Sequence, residues 1–202
     1  MVAVSLATSA KSESIRIVAF GTSLTAGQLW PAELQKSLSI CLNQKVSVSI
    51  VAKNGATSAW GRVNVSRVIS EHPDVILIEF AVNDSSAQRL MSKFASALNM
   101  EVILTSIRRE LPNARIFIMK MNPSRGIRGA LRFRRPAFEA AHEKLAAAMN
   151  VQYIDLSGYW RLIPPDVLKK YIPDGLHPLP SVSAGMIVAP LTDAVAGRRC
   201  GA

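Results

Sequence analysis

An α/β fold with a five-stranded parallel sheet, covered by helices on both faces, is predicted by three features of the sequence. Five apolar runs rich in β-branched residues recur along the chain, at 15–20, 46–51, 75–80, 115–121 and 151–156. Each gap between them holds a stretch with helical periodicity. The first three runs end in turn-forming polar residues: Gly21-Thr22-Ser23, Asn54-Gly55 and Asn83-Asp84. Such alternation of strand and helix implies parallel strands joined by right-handed crossovers.

The first strand, Ile15 to Phe20, leaves through Gly21-Thr22-Ser23, which puts Ser23 at its C-terminal end. In a parallel sheet the loops at that edge form the ligand crevice, so Ser23 is a candidate nucleophile. On this segment alone a helix N-cap explains it as well. Pro31 fits the first position of a helix to about Leu42, with Leu34 and Leu38 on one face. Val46 to Val51 alternates as a half-buried strand does. Ser58 is a suitable cap for a helix to about Glu71 that carries Trp60, Val63, Val68 and Ile69, and Pro73 closes it before the most apolar strand, Val75 to Phe80. A long helix from about Ser92 to Glu110 is expected to turn Phe94, Leu98, Val102 and Ile107 inward. Pro123 stops the fourth strand, and a loop bearing Arg125, Arg128, Arg132, Arg134 and Arg135 leads to a helix over Pro136–Met149. After the fifth strand, residues 158–172 read as short helix and loop. Ser181 to Ala196 reads as a closing helix kinked at Pro190. Without repeats or linkers, the chain is expected to be one domain over residues 14–202 behind a flexible segment, 1–13.

Hydrophobic residues make up 49% of the 202 and charged ones 19%, which excludes disorder, and no apolar run approaches the ~20 residues a membrane helix needs. An excess of 24 Lys+Arg over 14 Asp+Glu attracts anions. The basic residues are scattered except in the one loop, and no zinc-finger spacing, RNP-like motif or recognition helix is present, so nucleic acid is not an expected partner. Cys41, inside a helix, and Cys200, at the tail, suggest neither a disulfide framework nor a metal cluster, and both are expected to be incidental. No cofactor is expected. The opening MVAVSLATSA lacks a basic n-region but ends in small residues, as the end of a signal peptide does. Localisation therefore stays open between cytoplasmic and periplasmic or secreted, and oligomeric state is not indicated.

Polar residues of particular types collect at the strand ends: Ser23, Gly55, Asn83 and, after the fifth strand, Asp174-Gly175-Leu176-His177 between two prolines. Taken together, GTSLTAG, the lone Gly55, Asn83-Asp84 and DGLH resemble the SGNH or GDSL hydrolases over residues 15–196. The fold expected is a flavodoxin-like three-layer α/β/α sandwich. The resemblance implies that Ser23 is the nucleophile, His177 its base and Asp174 the group that orients His177. Ser23 N–H, Gly55 N–H and the Asn83 amide would form the oxyanion hole. The chemistry requires such a set: a serine hydroxyl needs a neutral imidazole to take its proton, and the developing oxyanion needs fixed donors. Singly, each residue has a plain structural reading as cap, turn former or rigid surface turn. Those readings do not explain why all of them fall at one edge of the sheet. His72 at a helix end and His142 on a polar helix face are expected to be capping or solvated, and Trp30, Trp60 and Trp160 to be core rather than pocket. Two departures stand out. Thr22 replaces the usual Asp of GDSL and puts the support of the turn in doubt, while Ala81 replaces the usual Gly and adds a methyl near the oxyanion site.

The expected function is that of a serine esterase or deacylase working through an acyl-enzyme. A small O-acyl group on a carbohydrate or other polar or anionic carrier is favoured, because no extended apolar lid is present. The arginine loop leaves the fourth strand on the crevice side, so Arg132, Arg134 and Arg135 are expected to meet anionic groups of the carrier. The alternatives are an acyltransferase using the same acyl-enzyme and a lysophospholipase or thioesterase. A non-enzymatic alternative is a flavodoxin-like module holding a phosphate on the Gly21–Gly27 turn, although GK[ST] and GxGxxG are absent.

Overall fold

The five apolar runs lie side by side as parallel strands: β1 (Ser14–Gly21), β2 (Lys45–Ala52), β3 (Val75–Ile78), β4 (Arg115–Lys120) and β5 (Gln152–Asp155). The computed structural model describes residues 14–200; the expected flexible segment 1–13 lies outside the described residues. Strand order is β2-β1-β3-β4-β5. From β1 the chain steps outward to β2 and then returns to place β3 on the other side of β1. The direction of winding reverses there, so the loops leaving β1 and β3 diverge and open a crevice at their C-terminal ends.

Eight α-helices connect and flank the strands among the described residues: α1 (Trp30–Leu42), α2 (Ser58–Ser70), α3 (Ala81–Asp84), α4 (Lys93–Glu110), α5 (Gly126–Ala130), α6 (Arg135–Ala148), α7 (Pro165–Tyr171) and α8 (Pro180–Ala196). Alternate residues of each strand face opposite layers. Ile17, Ala19, Leu77 and Phe117 pack against Leu34 and Leu38 of α1 and Ile187 and Leu191 of α8. Val18, Phe20, Ile76, Ile78 and Ile116 pack against Val65 and Val68 of α2, Met100, Ile103 and Leu104 of α4, and Ala146 of α6. All four residues of β3 are buried, which is why this central strand reads as a continuous apolar run. Truncating any of its Ile or Leu side chains to Ala would cost about 2–5 kcal/mol.

Several expectations are corrected. On α4, Phe94, Leu98 and Val102 face outward, and the buried stripe is Ser96, Asn99, Met100, Ile103, Leu104 and Ile107. The reason is polar. Ser96 and Asn99 hydrogen-bond to Asp84 and Ser58 beneath them, which fixes the rotation of the helix. Val63 of α2 is exposed. Ser58 does not cap α2: Thr57 occupies the cap position without a side-chain bond, and Asp84 Oδ1 accepts the Ser58 N–H at 2.8 Å instead. Cys41 and Cys200 are not incidental but form a disulfide, with Cα atoms 5.4 Å apart, because α1 and α8 pack side by side and bring their ends together. Trp30 and Trp160 are core residues, and Trp60 packs against Phe20 and Phe80. Among the described residues no helix is long and apolar enough to cross a membrane.

Candidate active site

The loop that carries His177 is shaped by its own sequence. Gly175 has φ 79°, and a Cβ there would collide with the carbonyl oxygen of Arg125, so only glycine fits. Two residues after β4 hold the loop. Arg125 N–H donates to Gly175 O at 2.8 Å, and the buried Asn122 amide donates to Leu176 O at 2.9 Å. Within the loop, Asp174 Oδ1 accepts the N–H groups of Leu176 (2.9 Å) and His177 (2.7 Å), an Asx-type turn that leaves Oδ2 at 2.6 Å from His177 Nδ1. Partial burial opposes ionisation of Asp174, yet the bonds from the ring and the two backbone N–H groups hold its carboxyl down to about 2. An ionised Asp174 can only accept, so Nδ1 carries the proton and Nε2 presents its lone pair. That nitrogen lies 2.8 Å from Ser23 Oγ.

Above Ser23, three donors are left over by the protein. Among the described residues neither Ser23 N–H nor Gly55 N–H has a protein acceptor, and Gly55 holds the left-handed φ of 73°. Asn83 sits not in a turn, as the sequence suggests, but in the one-turn helix α3. Its Nδ2 donates one hydrogen to Ala56 O (2.9 Å) while Oδ1 accepts from Arg132 at 3.3 Å, so both ends of the amide are assigned and one N–H remains. Ser23, Gly55, Asn83 and His177 line one cavity of about 470 Å³. Ala81 does not line it, so its methyl leaves the opening unobstructed.

The doubt raised by Thr22 is answered by a residue not singled out from the sequence. Glu79, fully buried after β3, accepts the Thr22 N–H (2.5 Å), the Thr22 hydroxyl (2.9 and 3.0 Å) and the Thr25 hydroxyl (2.9 Å). The carboxylate missing at position 22 is thus supplied from the neighbouring strand. Burial pushes the Glu79 carboxyl up to about 7, against those hydrogen bonds and the nearby Arg135 guanidinium. The signal in the sequence was a lone acid inside an apolar run, VILIEF. His142 is likewise corrected: it is buried, not solvated, with Nε2 2.7 Å from Ser96 Oγ, which in turn lies 2.6 Å from Asp84 Oδ2. Burial pulls His142 down to about 4 and raises Asp84 against its bonds from Ser96 and Ser58.

The arginines divide by position. Arg132 lines the cavity, with Nε donating to Val82 O at 2.7 Å. Arg134 and Arg135 do not reach it. Because α6 begins at Arg135, that side chain turns inward, pairs with Glu139 at 2.6 Å and donates to Met121 O. Arg134 lies over the Phe138 ring and donates to Met91 O. Two arginines that were not singled out as substrate-binding take their places at the cavity, Arg128 from α5 and Arg89 from the 3-10 turn Ala87–Arg89. No periodicity marks Arg89.

Chemically, an imidazole held in one tautomer beside a serine hydroxyl, with three unspent donors around the same space, is suited to acyl transfer. A family model described as the GDSL-like lipase/acylhydrolase family matches residues 19–182. The fold is similar to a lipase/acylhydrolase from Enterococcus faecalis (23% identity, TM-score 0.74, 89% of this chain and 96% of that one). It is similar also to an acetylxylan esterase from Geobacillus stearothermophilus (15%, 0.73, 93% and 96%) and a carbohydrate acetylesterase from Sinorhizobium meliloti (14%, 0.73, 91% and 99%). No curated protein matches. The family match runs from inside β1 into α8 and so takes in every loop that borders the crevice. The chain belongs to the GDSL-like lipase/acylhydrolase family and is a carboxylic ester hydrolase.

Proposed function

We propose that the protein is a serine esterase that removes a small O-acyl group from a carbohydrate or similar polar carrier through an acyl-enzyme on Ser23. The observation that carries the substrate class is the cavity wall. Beside Ser23 and His177 it presents Gln28, Asn54, Asn83 and arginines, with only Ala26 and Leu176 as apolar side chains. A long acyl chain gains about 25 cal/mol per Å² of apolar area it buries, and this wall offers little such area. That two structures of similar fold are named as acetylxylan and carbohydrate acetylesterases supports the reading.

In the mechanism, His177 Nε2 takes the Ser23 proton as Oγ attacks the acyl carbon, and Asp174 stabilises the imidazolium that forms. The acyl oxygen gains its charge among Ser23 N–H, Gly55 N–H and Asn83 Nδ2–H. The imidazolium then protonates the departing alcohol of the carrier. Water, deprotonated by the same imidazole, releases the acid and restores Ser23. The test is labelling by a fluorophosphonate together with turnover of p-nitrophenyl acetate and octanoate. Wild type is expected to label and to prefer the acetate, and Ser23→Ala to do neither. Asp174→Asn should lose up to about 10⁴ in kcat. Retention of wild-type turnover by purified Ser23→Ala would overturn the mechanism, and preference for octanoate would overturn the substrate class.

A further inference from the structure

We propose that Arg89, Arg128 and Arg132 form an anion subsite at the mouth of the Ser23 crevice that receives a carboxylate or phosphate of the acylated carrier. The proposal rests on the esterase reading above and extends it from the acyl group to the carrier.

Three guanidiniums from two separate segments, Arg89 from the 3-10 turn Ala87–Arg89 and Arg128 and Arg132 from the stretch between β4 and α6, line the cavity that holds Ser23 and His177, and no carboxylate lines it with them. Asp174 meets only Arg128, at 3.3 Å, and that carboxylate already serves the His177 ring. The three side chains are held in place rather than free. Arg89 donates to Gly55 O at 3.0 Å, and Arg132 spends Nε on Val82 O and a second nitrogen on Arg128 O at 3.0 Å. Each still retains N–H donors that no acceptor among the described residues takes, since a guanidinium has five.

Such a cluster is uncomfortable without an anion. Arg132 is half-buried, and that burial together with the like charges of Arg135, Arg128 and Arg89 lowers its pKa; Asp174 opposes the fall only in part. An oxyanion placed among the three would remove this repulsion and accept paired N–H bonds, the geometry that guanidiniums offer to carboxylates and phosphates. Because Arg89 and Arg132 also touch Gly55 and Asn83, a carrier anion bound there sits beside the groups that receive the acyl oxygen. Binding energy from a non-reacting part of the substrate would then be used next to the reacting centre.

The test compares kcat/KM on an O-acetylated neutral xylo-oligosaccharide, an O-acetylated galacturonate oligosaccharide and an O-acetylated sugar phosphate. Wild type is expected to favour at least one anionic ester, and the larger preference identifies the group. Arg89→Gln and Arg128→Gln should each reduce the anionic-to-neutral ratio about tenfold, whatever happens to the absolute rates, and Arg89→Lys should restore part of it. Arg134→Gln, the same charge change on the same surface but outside the cavity, should leave the ratio within about twofold. A wild-type ratio near one, or an equal fall in Arg134→Gln, would overturn the subsite, the latter by showing that the general positive field is responsible. Absence of turnover on all three esters and on p-nitrophenyl acetate would instead count against the esterase reading itself.

Discussion

Replacing Glu79 by Gln should make the protein more stable at alkaline pH and slower at its reaction. The carboxyl titrates at 4.5 in the unfolded chain and at about 7 when buried beneath the Ser23 turn. The folded state therefore holds this proton more tightly. The stability it contributes is full below pH 4.5 and is lost as pH rises to 7, a change of about 3 kcal/mol. Gln has the same shape and no charge to desolvate, so it escapes that loss. Its single carbonyl can still accept the Thr22 N–H, but the Thr22 and Thr25 hydroxyls lose a charged acceptor, and such bonds are about twice as strong as neutral ones. Urea unfolding of both proteins at pH 4.5 and pH 8 gives the comparison. The stability of Glu79→Gln relative to wild type is expected to rise by about 3 kcal/mol between the two. Turnover of p-nitrophenyl acetate at pH 8 should fall by about 10- to 100-fold, because the turn that aims Ser23 slackens. A stability difference that is the same at both pH values would refute the placement of a proton-binding carboxyl under the Ser23 turn.

Two further outcomes are expected. Asn83→Ala should lower kcat by about 10² to 10³ with little change in KM, since its remaining N–H strengthens its bond only as charge develops, and a pure rise in KM would make it a ground-state contact. Reduction of Cys41–Cys200, which closes a loop of 159 residues in sequence, should cost about 2–5 kcal/mol in urea unfolding; identical midpoints with and without reductant would show that the bond adds nothing.

Much of the fold could be read because the inner strands β1, β3 and β4 are largely buried on both faces and declare themselves as apolar runs, while the edge strand β2 shows the alternation of a half-buried one. Ser23, Gly55 and Asn83 could be located for the same reason, since a strand's end fixes where its loop begins. What could not be read depends on pairs distant in sequence. The stripe Phe94, Leu98, Val102 is as helical as the true one, and only the polar contacts of Ser96 and Asn99 with Asp84 and Ser58 decide between them. A disulfide between Cys41 and Cys200 requires knowing that α1 lies against α8. The arginines illustrate the same limit at closer range. Whether a guanidinium turns into the core or stays outside it depends on the residue at which α6 starts: Arg135, at that start, pairs with Glu139, while Arg134, one position earlier, lies over the Phe138 ring.

The distance along the chain between Ser23 and His177 has a consequence for how the protein is made. The serine and its turn are synthesised early, the imidazole and the helix that follows it late, and 154 positions separate them. A growing polypeptide can hold β1, β2, β3 and α3, and with them Ser23, Gly55 and Asn83, while still lacking His177. On the proposed mechanism, the Ser23 hydroxyl of a chain that stops short of His177 has no imidazole to take its proton. Only when the loop carrying His177 docks under Asn122 and α8 settles against α1 does the last strand-end loop complete the set. On the proposed mechanism reactivity therefore waits for the C-terminal part of the chain, and the bond between Cys41 of α1 and Cys200, just beyond α8, ties that part to the N-terminal half.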